Sequence, residues 1–189
     1  VDFAGAEKSY RQALAANGPR AELTVRLGVV TCKQEQFKEA IDPLTEARQS
    51  GLRSDELLYH LGLAHARLNN WTEAIAAWTP LAERHADDES LRHNLARCQY
   101  GLGHQRFNVG DFAGAVEAWE VCAGVYAGDE TLQEARAEAY FRRGIALLRS
   151  AARGEPIPPA ARAGLRRAAE AGGGDDRRIR LFTALADLA

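Results

Sequence analysis

The sequence contains little of what a β-rich protein needs. Valine, isoleucine and threonine are too sparse and scattered to supply several strands, and aromatic residues make up only 7% of the chain. Alanine, leucine, glutamate and arginine dominate instead, and all four favour helices. The composition therefore predicts an all-α fold.

Cysteine is also scarce. Cys32, Cys98 and Cys122 are odd in number and form no CxxC pair, so neither a disulfide framework nor a zinc knuckle is indicated. No apolar run is long enough to span a membrane, and no signal peptide opens the chain. We therefore expect a cytoplasmic protein in a reducing compartment.

An excess of charge of either sign is missing too. The 24 Lys and Arg residues nearly balance the 26 Asp and Glu residues, which leaves a net charge of −2. This balance gives no reason to expect nucleic acid or an anionic membrane as a partner, because binding to either needs a cationic surface. Helical-repeat families that read RNA bases also follow a different pattern from the one described below.

The sequence lacks the motifs of the common enzyme classes. There is no P-loop, GxSxG, HExxH or Rossmann glycine run. Gly172-Gly-Gly174 follows a predicted helix rather than a strand, so it does not indicate a phosphate cradle. His60 and His65 are five residues apart and do not share a helix face, which argues against a metal pair. We therefore expect no catalysis, no cofactor and no metal site.

The main positive signal in the sequence is an internal repeat. Four short segments resemble one another, and their aromatic residues follow at intervals of 34, 34 and 41 residues: Phe3-Ala-Gly-Ala, Phe37-Lys-Glu-Ala, Trp71-Thr-Glu-Ala and Phe112-Ala-Gly-Ala. Seven positions after each aromatic lie Tyr10, Leu44, Trp78 and Trp119. A glycine recurs upstream at Gly28, Gly62, Gly103 and Gly144. A period of this length is typical of helical repeat proteins.

The repeat resembles the tetratricopeptide-repeat (TPR) family. That family carries a Leu-Gly pair in helix A, and an aromatic residue followed by a small alanine in helix B. The corresponding pairs here are Leu27-Gly28, Leu61-Gly62, Leu102-Gly103 and a degraded Arg143-Gly144. The resemblance covers residues 1–150. It departs from the family at the closing proline, which only Gly18-Pro19 approximates, and at the helix-A tyrosine, which Thr31 and Arg106 replace.

The resemblance implies a right-handed superhelical solenoid of antiparallel helix pairs, with about four repeats plus terminal half-repeats. Residues 1–150 would form the solenoid: helix B of a truncated repeat, repeats at about 20–51, 54–86 and 88–127, and a long helix A at 130–150. Residues 151–189 would add a C-terminal helical pair that completes or caps it. Because the chain starts inside a repeat, with Val1 in place of Met, we expect it to be a piece of a longer protein.

The interval of 41 residues indicates a lengthened helix A at 89–109 and again at 130–149, because seven extra residues make about two helical turns. After residue 150 the predicted elements are a loop at 154–159, a helix at 158–171, a break at 172–174 and a helix at 175–188. Pro43 and Pro80 fall inside predicted B helices and should bend them.

Glycine inside a helix is destabilising by about 1 kcal/mol relative to alanine, so the four recurrent glycines need a structural reason. We expect helix B to approach helix A closely at these glycines, with the recurrent alanine on the facing side. Trp71, Trp78 and Trp119 lie in the repeat register and are assigned to the core.

In the TPR family the A helices line a concave groove that usually holds the ligand. Carried over by position relative to the recurrent glycine, the resemblance implies a groove formed by Arg26, Lys33, Tyr59, His60, Leu63, Arg67, Tyr100, His104, Phe107, Phe141, Arg142 and Arg149. Because arginine and lysine pair with carboxylates, we expect an acidic, partly hydrophobic peptide as the ligand. The alternative interpretation is that these arginines and lysines belong to an ordinary solvated helix face.

A sharper family hypothesis is the carboxylate clamp that grips the acidic C-terminal tails of heat-shock chaperones. That clamp needs Lys and Asn at helix-A positions that hold Val25, Val29 and His60 here. A standard clamp is therefore not indicated.

Three classes of function stay open at this point. The first is a non-catalytic scaffold that binds a peptide or partner protein in the groove. The second is a regulatory or sensor domain of a larger multidomain protein, which docks on its own catalytic domain. The third is a scaffold that self-assembles through uncapped repeat ends.

Overall fold

A computed structural model describes residues 2–18, 20–150, 157–171 and 176–188. These residues contain ten α-helices and no strand. The first five helices are α1 Phe3–Asn17, α2 Ala21–Lys33, α3 Phe37–Gln49, α4 Asp55–Arg67 and α5 Trp71–Arg84. The other five are α6 Glu89–Asn108, α7 Phe112–Cys122, α8 Glu130–Ser150, α9 Pro159–Glu170 and α10 Arg177–Leu188. The predicted all-α fold is confirmed.

The chain divides into two compact units, Val1–Cys98 and Gln99–Ala189. In the first unit α2 packs on α3 and α4 packs on α5, while α1 and α3 contact their neighbours along the chain. In the second unit α8 packs on α9, with α7 against α8 and α10 against α9. Helix α6 contributes residues to both units. Each unit thus consists of consecutive packed helices, and the right-handed superhelix stays a prediction.

The two lengthened helices have the predicted extent. Helix α6 ends at Asn108 and α8 ends at Ser150, each one residue from its predicted end. A carboxylate caps each first turn: Asp88 accepts a hydrogen bond from the backbone nitrogen of Leu91 at 3.0 Å, and Asp129 accepts one from Leu132 at 2.9 Å. The acidic residues before each helix are therefore what fixes where it begins.

Pro43 and Pro80 lie inside α3 and α5 as predicted, and both helices continue through the proline. Helix α9 begins one residue later than predicted and α10 begins two residues later. The predicted break at 172–174 and residues 154–156 of the predicted loop at 154–159 lie outside the described residues.

The recurrent glycine of α4 lies directly under a tryptophan of α5. A Cβ atom at Gly62 would come within 2.6 Å of Cε2 of Trp78, which is far too close for a real contact. The Trp78 side chain is fully buried, and its Nε1 donates a hydrogen bond to the carbonyl oxygen of Tyr59 at 3.0 Å. Glycine is therefore needed at residue 62 because the indole ring crosses the helix backbone there.

The second unit repeats this arrangement. A Cβ atom at Gly103 would come within 2.6 Å of Cε2 of Trp119, whose Nε1 donates to the carbonyl oxygen of Tyr100 at 3.1 Å. Leucines fill the same place at the other two glycines, where the pairs are Gly28 with Leu44 and Gly144 with Leu165. The side chain nearest each glycine is thus a large residue of helix B, and the expectation that the recurrent alanine lies there is wrong.

Trp78 and Trp119 are core residues, as predicted, and Trp71 is half-buried against the same cluster as Trp78. The turns before Phe37, Trp71 and Phe112 each contain a left-handed residue: Glu35 at φ 61°, Asn69 at φ 59° and Gly110 at φ 84°. Each lies two positions before the aromatic, so the turn repeats along with the helices.

Candidate functional site

Six predicted groove residues lie in the first unit, on α2 and α4: Arg26, Lys33, Tyr59, His60, Leu63 and Arg67. The Arg67 guanidinium carbon lies 5.3 Å from the ring centroid of Phe37, and Lys33 Nζ lies 5.8 Å from that of Phe3. Arg67 therefore stacks on the first residue of α3, and Lys33 stacks on the first residue of α1.

Tyr59 is exposed and lines a depression of about 310 Å³. Its other lining residues are Asp55, Glu56, Leu81, His85 and Asp88. Asp55 is already paired, since it accepts from His85 at 2.5 Å and from Arg84 at 2.5 Å. The surroundings of Tyr59 are thus rich in carboxylates, which do not suit an acidic ligand.

His60 is half-buried, and its Nδ1 has no hydrogen-bond partner among the described residues. Burial lowers the pKa of His60 below the ordinary value of 6.5, and Lys33 lowers it further while Glu56 raises it. The imidazole is therefore neutral at neutral pH and is not a positive charge in a groove.

In the second unit, three predicted groove residues form an aromatic cluster around Trp119. Its ring centroid lies 5.0 Å from that of His104 and 5.8 Å from that of Phe107. Tyr100 packs on His104 at 4.7 Å. These contacts give Tyr100, His104 and Phe107 a packing role within their own helix pair.

The remaining three predicted residues, Phe141, Arg142 and Arg149, share one depression of about 410 Å³ in the second unit. It is referred to below as the α8 depression, and it is lined by Phe112, Glu138, Phe141, Arg142, Ile145, Ala146, Arg149 and Arg178. Six of these residues come from α8 at spacings of three, four and seven, which places them on one helix face. Helix α7 contributes Phe112 and helix α10 contributes Arg178.

The floor of the α8 depression is apolar. Phe141 is buried, and Phe112 and Ile145 are half-buried. Phe141 also packs against Phe182 of α10, with ring centroids 5.6 Å apart. This floor can take an apolar side chain out of water without exposing a buried polar group.

Arg142 lies at the edge of the floor with its guanidinium over two rings. Its Cζ atom is 5.2 Å from the centroid of Phe107 and 5.5 Å from that of Phe112. Nε donates to a carboxylate oxygen of Glu138 at 2.6 Å. The stacking and this hydrogen bond fix the plane of the guanidinium while its terminal nitrogens stay available for a ligand.

Arg178 lies over the ring of Phe141, with Cζ 5.5 Å from the centroid. It pairs with Asp176 at 2.7 Å and with Glu138 at 3.3 Å. Hydrogen bonds from the Arg178 side chain and backbone lower the pKa of Asp176 to about 2. Arg178 was missed from the sequence, because its nearest partner on α8 lies 40 residues away along the chain.

Arg149 is exposed and makes no hydrogen bond or ion pair with any residue that the structure describes. Three guanidinium groups and one carboxylate therefore line the α8 depression, in a chain whose net charge is −2. The arrangement can attract an anionic group and hold an apolar group beside it.

A second depression in this unit, of about 280 Å³, is lined mainly by polar and charged residues, four of which are hydrogen-bonded to one another. Glu120 accepts hydrogen bonds from Arg136 Nε at 3.1 Å and from the Tyr140 hydroxyl at 3.0 Å. Arg167 reaches the same hydroxyl at 3.4 Å. This network joins α7, α8 and α9.

The three cysteines are all buried, and burial raises the pKa of Cys32, Cys98 and Cys122 to about 11 in each case. They are therefore protonated thiols rather than nucleophiles. Across the described ranges, no three His, Cys, Asp or Glu side chains are grouped so that they could hold a metal ion. None of the helices described here has the length and apolar character to cross a membrane.

Comparison with known proteins gave matches at the level of structure. No family model matches the sequence, and no curated protein matches it. The TPR protein YrrB matches with a TM-score of 0.51 and 19% identity, over 97% of this chain and 84% of YrrB. A TPR-repeats protein from Bacteroides fragilis NCTC 9343 matches with a TM-score of 0.53 and 16% identity, over 99% of this chain and 91% of the other.

Proposed function

Since this chain has the all-α fold of tetratricopeptide-repeat proteins, we propose that it is a non-catalytic protein-interaction scaffold. Its ligand is an extended peptide or a peptide-like segment of a partner protein, acidic and partly apolar. The binding site is the α8 depression. The observation that carries the proposal is the apolar floor of Phe112, Phe141 and Ile145 beside three arginines.

The two parts of the site contribute differently to binding. Burying one leucine-sized side chain on the floor supplies about 1.5–3 kcal/mol. An exposed ion pair supplies about 0.2–1 kcal/mol. The floor therefore provides most of the affinity, and the arginines select for carboxylates and orient the peptide.

YrrB is described as a TPR protein with an unusual peptide-binding site. That description belongs to YrrB, and the site proposed for this chain rests on its own residues. In the first unit, exposed Arg26, Tyr59 and Arg67 remain a separate candidate surface for a protein partner, with weaker support because carboxylates surround Tyr59.

The proposal is tested by panning a random dodecapeptide display library against the purified protein. The variant for comparison is Arg142→Glu/Arg149→Glu, which reverses two charges of the α8 depression. Arg180→Glu is the matched control, because Arg180 is exposed on α10 and does not line the depression. Circular dichroism and a melting curve establish that all three proteins are folded.

We expect the wild type and Arg180→Glu to enrich peptides that combine acidic and apolar residues. The double variant should lose this enrichment. Equal enrichment of the same peptides on the double variant, or enrichment of basic peptides on the wild type, would refute the site. Light scattering of the wild type over a range of concentrations distinguishes peptide binding from self-assembly.

A further inference from the structure

We infer that the α8 depression binds two ligand carboxylates, one at Arg142 and one at Arg149, on either side of an apolar side chain. The ligand is an extended peptide with acidic residues three positions apart and no requirement for a free C-terminus. This inference rests on the proposed function and adds the spacing that the ligand must have.

The three arginines of the depression differ in how many of their N–H donors are already bonded to carboxylates of the protein. Arg178 is paired with both Asp176 and Glu138, and its Nε and one Nη are occupied by these bonds. Arg142 uses only Nε, on Glu138. Arg149 is unpaired within the described ranges. Arg142 and Arg149 are therefore the two places where a ligand carboxylate finds free donors.

The distance between these two arginines is set by helix geometry. They are seven residues apart on α8, and seven residues make nearly two turns with a rise of about 10.5 Å. A step of seven also returns to almost the same helix face. The Ile145 side chain lies between them on this face, and Phe141 lies beside Arg142 on the floor.

A ligand must match this spacing of about 10 Å. In a polyproline II peptide, residues i and i+3 point in the same direction and lie about 9.3 Å apart. In a β-strand, residues two apart share a face at about 6.6 Å and residues four apart at about 13 Å, so neither fits as well. The favoured ligand therefore has the pattern acidic–x–x–acidic in an extended conformation, with an apolar residue at one x.

The experiment uses fluorescein-labelled peptides with acetylated or labelled N-termini and amidated C-termini, measured by fluorescence anisotropy. The reference peptide contains Glu-Pro-Leu-Glu between glycines. Two others contain Glu-Leu-Glu and Glu-Pro-Leu-Pro-Glu, which change the spacing to two and four residues. Two more replace the first or the second Glu of the reference by Gln.

We expect the reference peptide to bind about fivefold more tightly than the other spacings and than either Gln peptide, the effect of one exposed ion pair. Arg149→Gln should weaken binding of the reference peptide by a similar factor but leave the affinity for one of the two Gln peptides unchanged. Arg142→Gln should also weaken binding of the reference peptide, and it should leave the affinity for the other Gln peptide unchanged. Arg180→Gln should change nothing.

The outcomes separate this inference from the proposed function. If all three spacings bind equally, and binding still depends on Arg142 and Arg149, the two-carboxylate geometry is wrong and the peptide site stands. If one of the two Gln replacements leaves the peptide affinity unchanged for the wild type and for every arginine variant, the site holds a single carboxylate and the inference fails. If no peptide binds to the folded wild type, and panning also yields none, both fail.

Discussion

At the scale of single residues, the tightest constraint is the contact between a helix-A glycine and a helix-B tryptophan. Alanine at residue 62 would improve helix propensity by about 1 kcal/mol but would drive a methyl group into the ring of Trp78. Trp78 cannot move away without losing its hydrogen bond to Tyr59. Overpacking of this kind destabilises by about 1–3 kcal/mol, so we expect the clash to outweigh the gain.

We therefore expect Gly62→Ala to lower the free energy of unfolding, measured by urea denaturation. Gly124→Ala is the matched control, since a Cβ atom at Gly124 meets no other atom within 4 Å and its φ is not positive. That variant should keep or slightly raise the stability. Equal stability of the two variants would show that the indole ring does not close on the helix as described.

The sequence predicted that the recurrent glycines mark a close helix contact, but its expectation that the recurrent alanine faces them is wrong. Spacing along a helix shows which residues share a face. It does not show whether the recurrent alanine or the large residue seven positions after the aromatic lies over the glycine. In the structure the large residue lies there, and at Gly62 the indole of Trp78 also donates a hydrogen bond to the Tyr59 carbonyl.

At the scale of helices, a network of Glu120 on α7, Arg136 and Tyr140 on α8, and Arg167 on α9 holds these three helices together. Tyr140 is buried and its hydroxyl donates to Glu120 at 3.0 Å. Removal of the hydroxyl by Tyr140→Phe should cost about 1 kcal/mol of unfolding free energy, because a hydrogen bond of this kind contributes about that much.

The control is Tyr59→Phe, which removes the hydroxyl of an exposed tyrosine and should leave the stability unchanged. In the Glu120→Gln background, the cost of Tyr140→Phe should differ, because the hydroxyl then donates to a neutral acceptor. Thermal melts of the single and double variants measure this coupling. Strictly additive effects would mean that the two groups do not interact.

Helix boundaries were largely predictable at this scale. The acidic residues before α6 and α8 and the interval of 41 residues located both long helices to within one residue. The residues of the α8 depression were predictable only in part. Phe141, Arg142 and Arg149 followed from the repeat register, whereas Arg178 and its partner Glu138 are brought together by the packing of α10 near α8. Local sequence does not encode that contact.

At the scale of the whole molecule, three partly buried histidines make stability depend on pH. Burial is the main cause that lowers the pKa of His60, His65 and His104 below 6.5, with nearby acidic residues opposing it in each case. The folded state thus favours neutral imidazole, so the unfolded state binds more protons below pH 6.5. The contribution of these histidines to stability is therefore fully present above pH 6.5, and it is lost as the pH drops through their lowered pKa values.

We expect the melting temperature to fall between pH 7.5 and pH 5.5, and His60→Gln to reduce that fall. His93→Gln is the control, since the His93 side chain is exposed. The Asp176 carboxylate affects the pH dependence of stability only well below this pH range, because its pKa is lowered to about 2. A melting temperature that stayed constant or rose toward pH 5.5 would contradict the burial of the three imidazoles.

The claim that the α8 depression binds an acidic, partly apolar peptide is tested most directly by nuclear magnetic resonance. The ¹⁵N-labelled protein is titrated with the blocked Glu-Pro-Leu-Glu peptide and, separately, with its double Gln counterpart. We predict that amide signals of α8 from Phe141 to Arg149, together with those of Phe112 and Arg178, shift with the acidic peptide and much less with the Gln peptide. Shifts confined to the surroundings of Tyr59 in the first unit, or equal shifts with both peptides, would contradict the account.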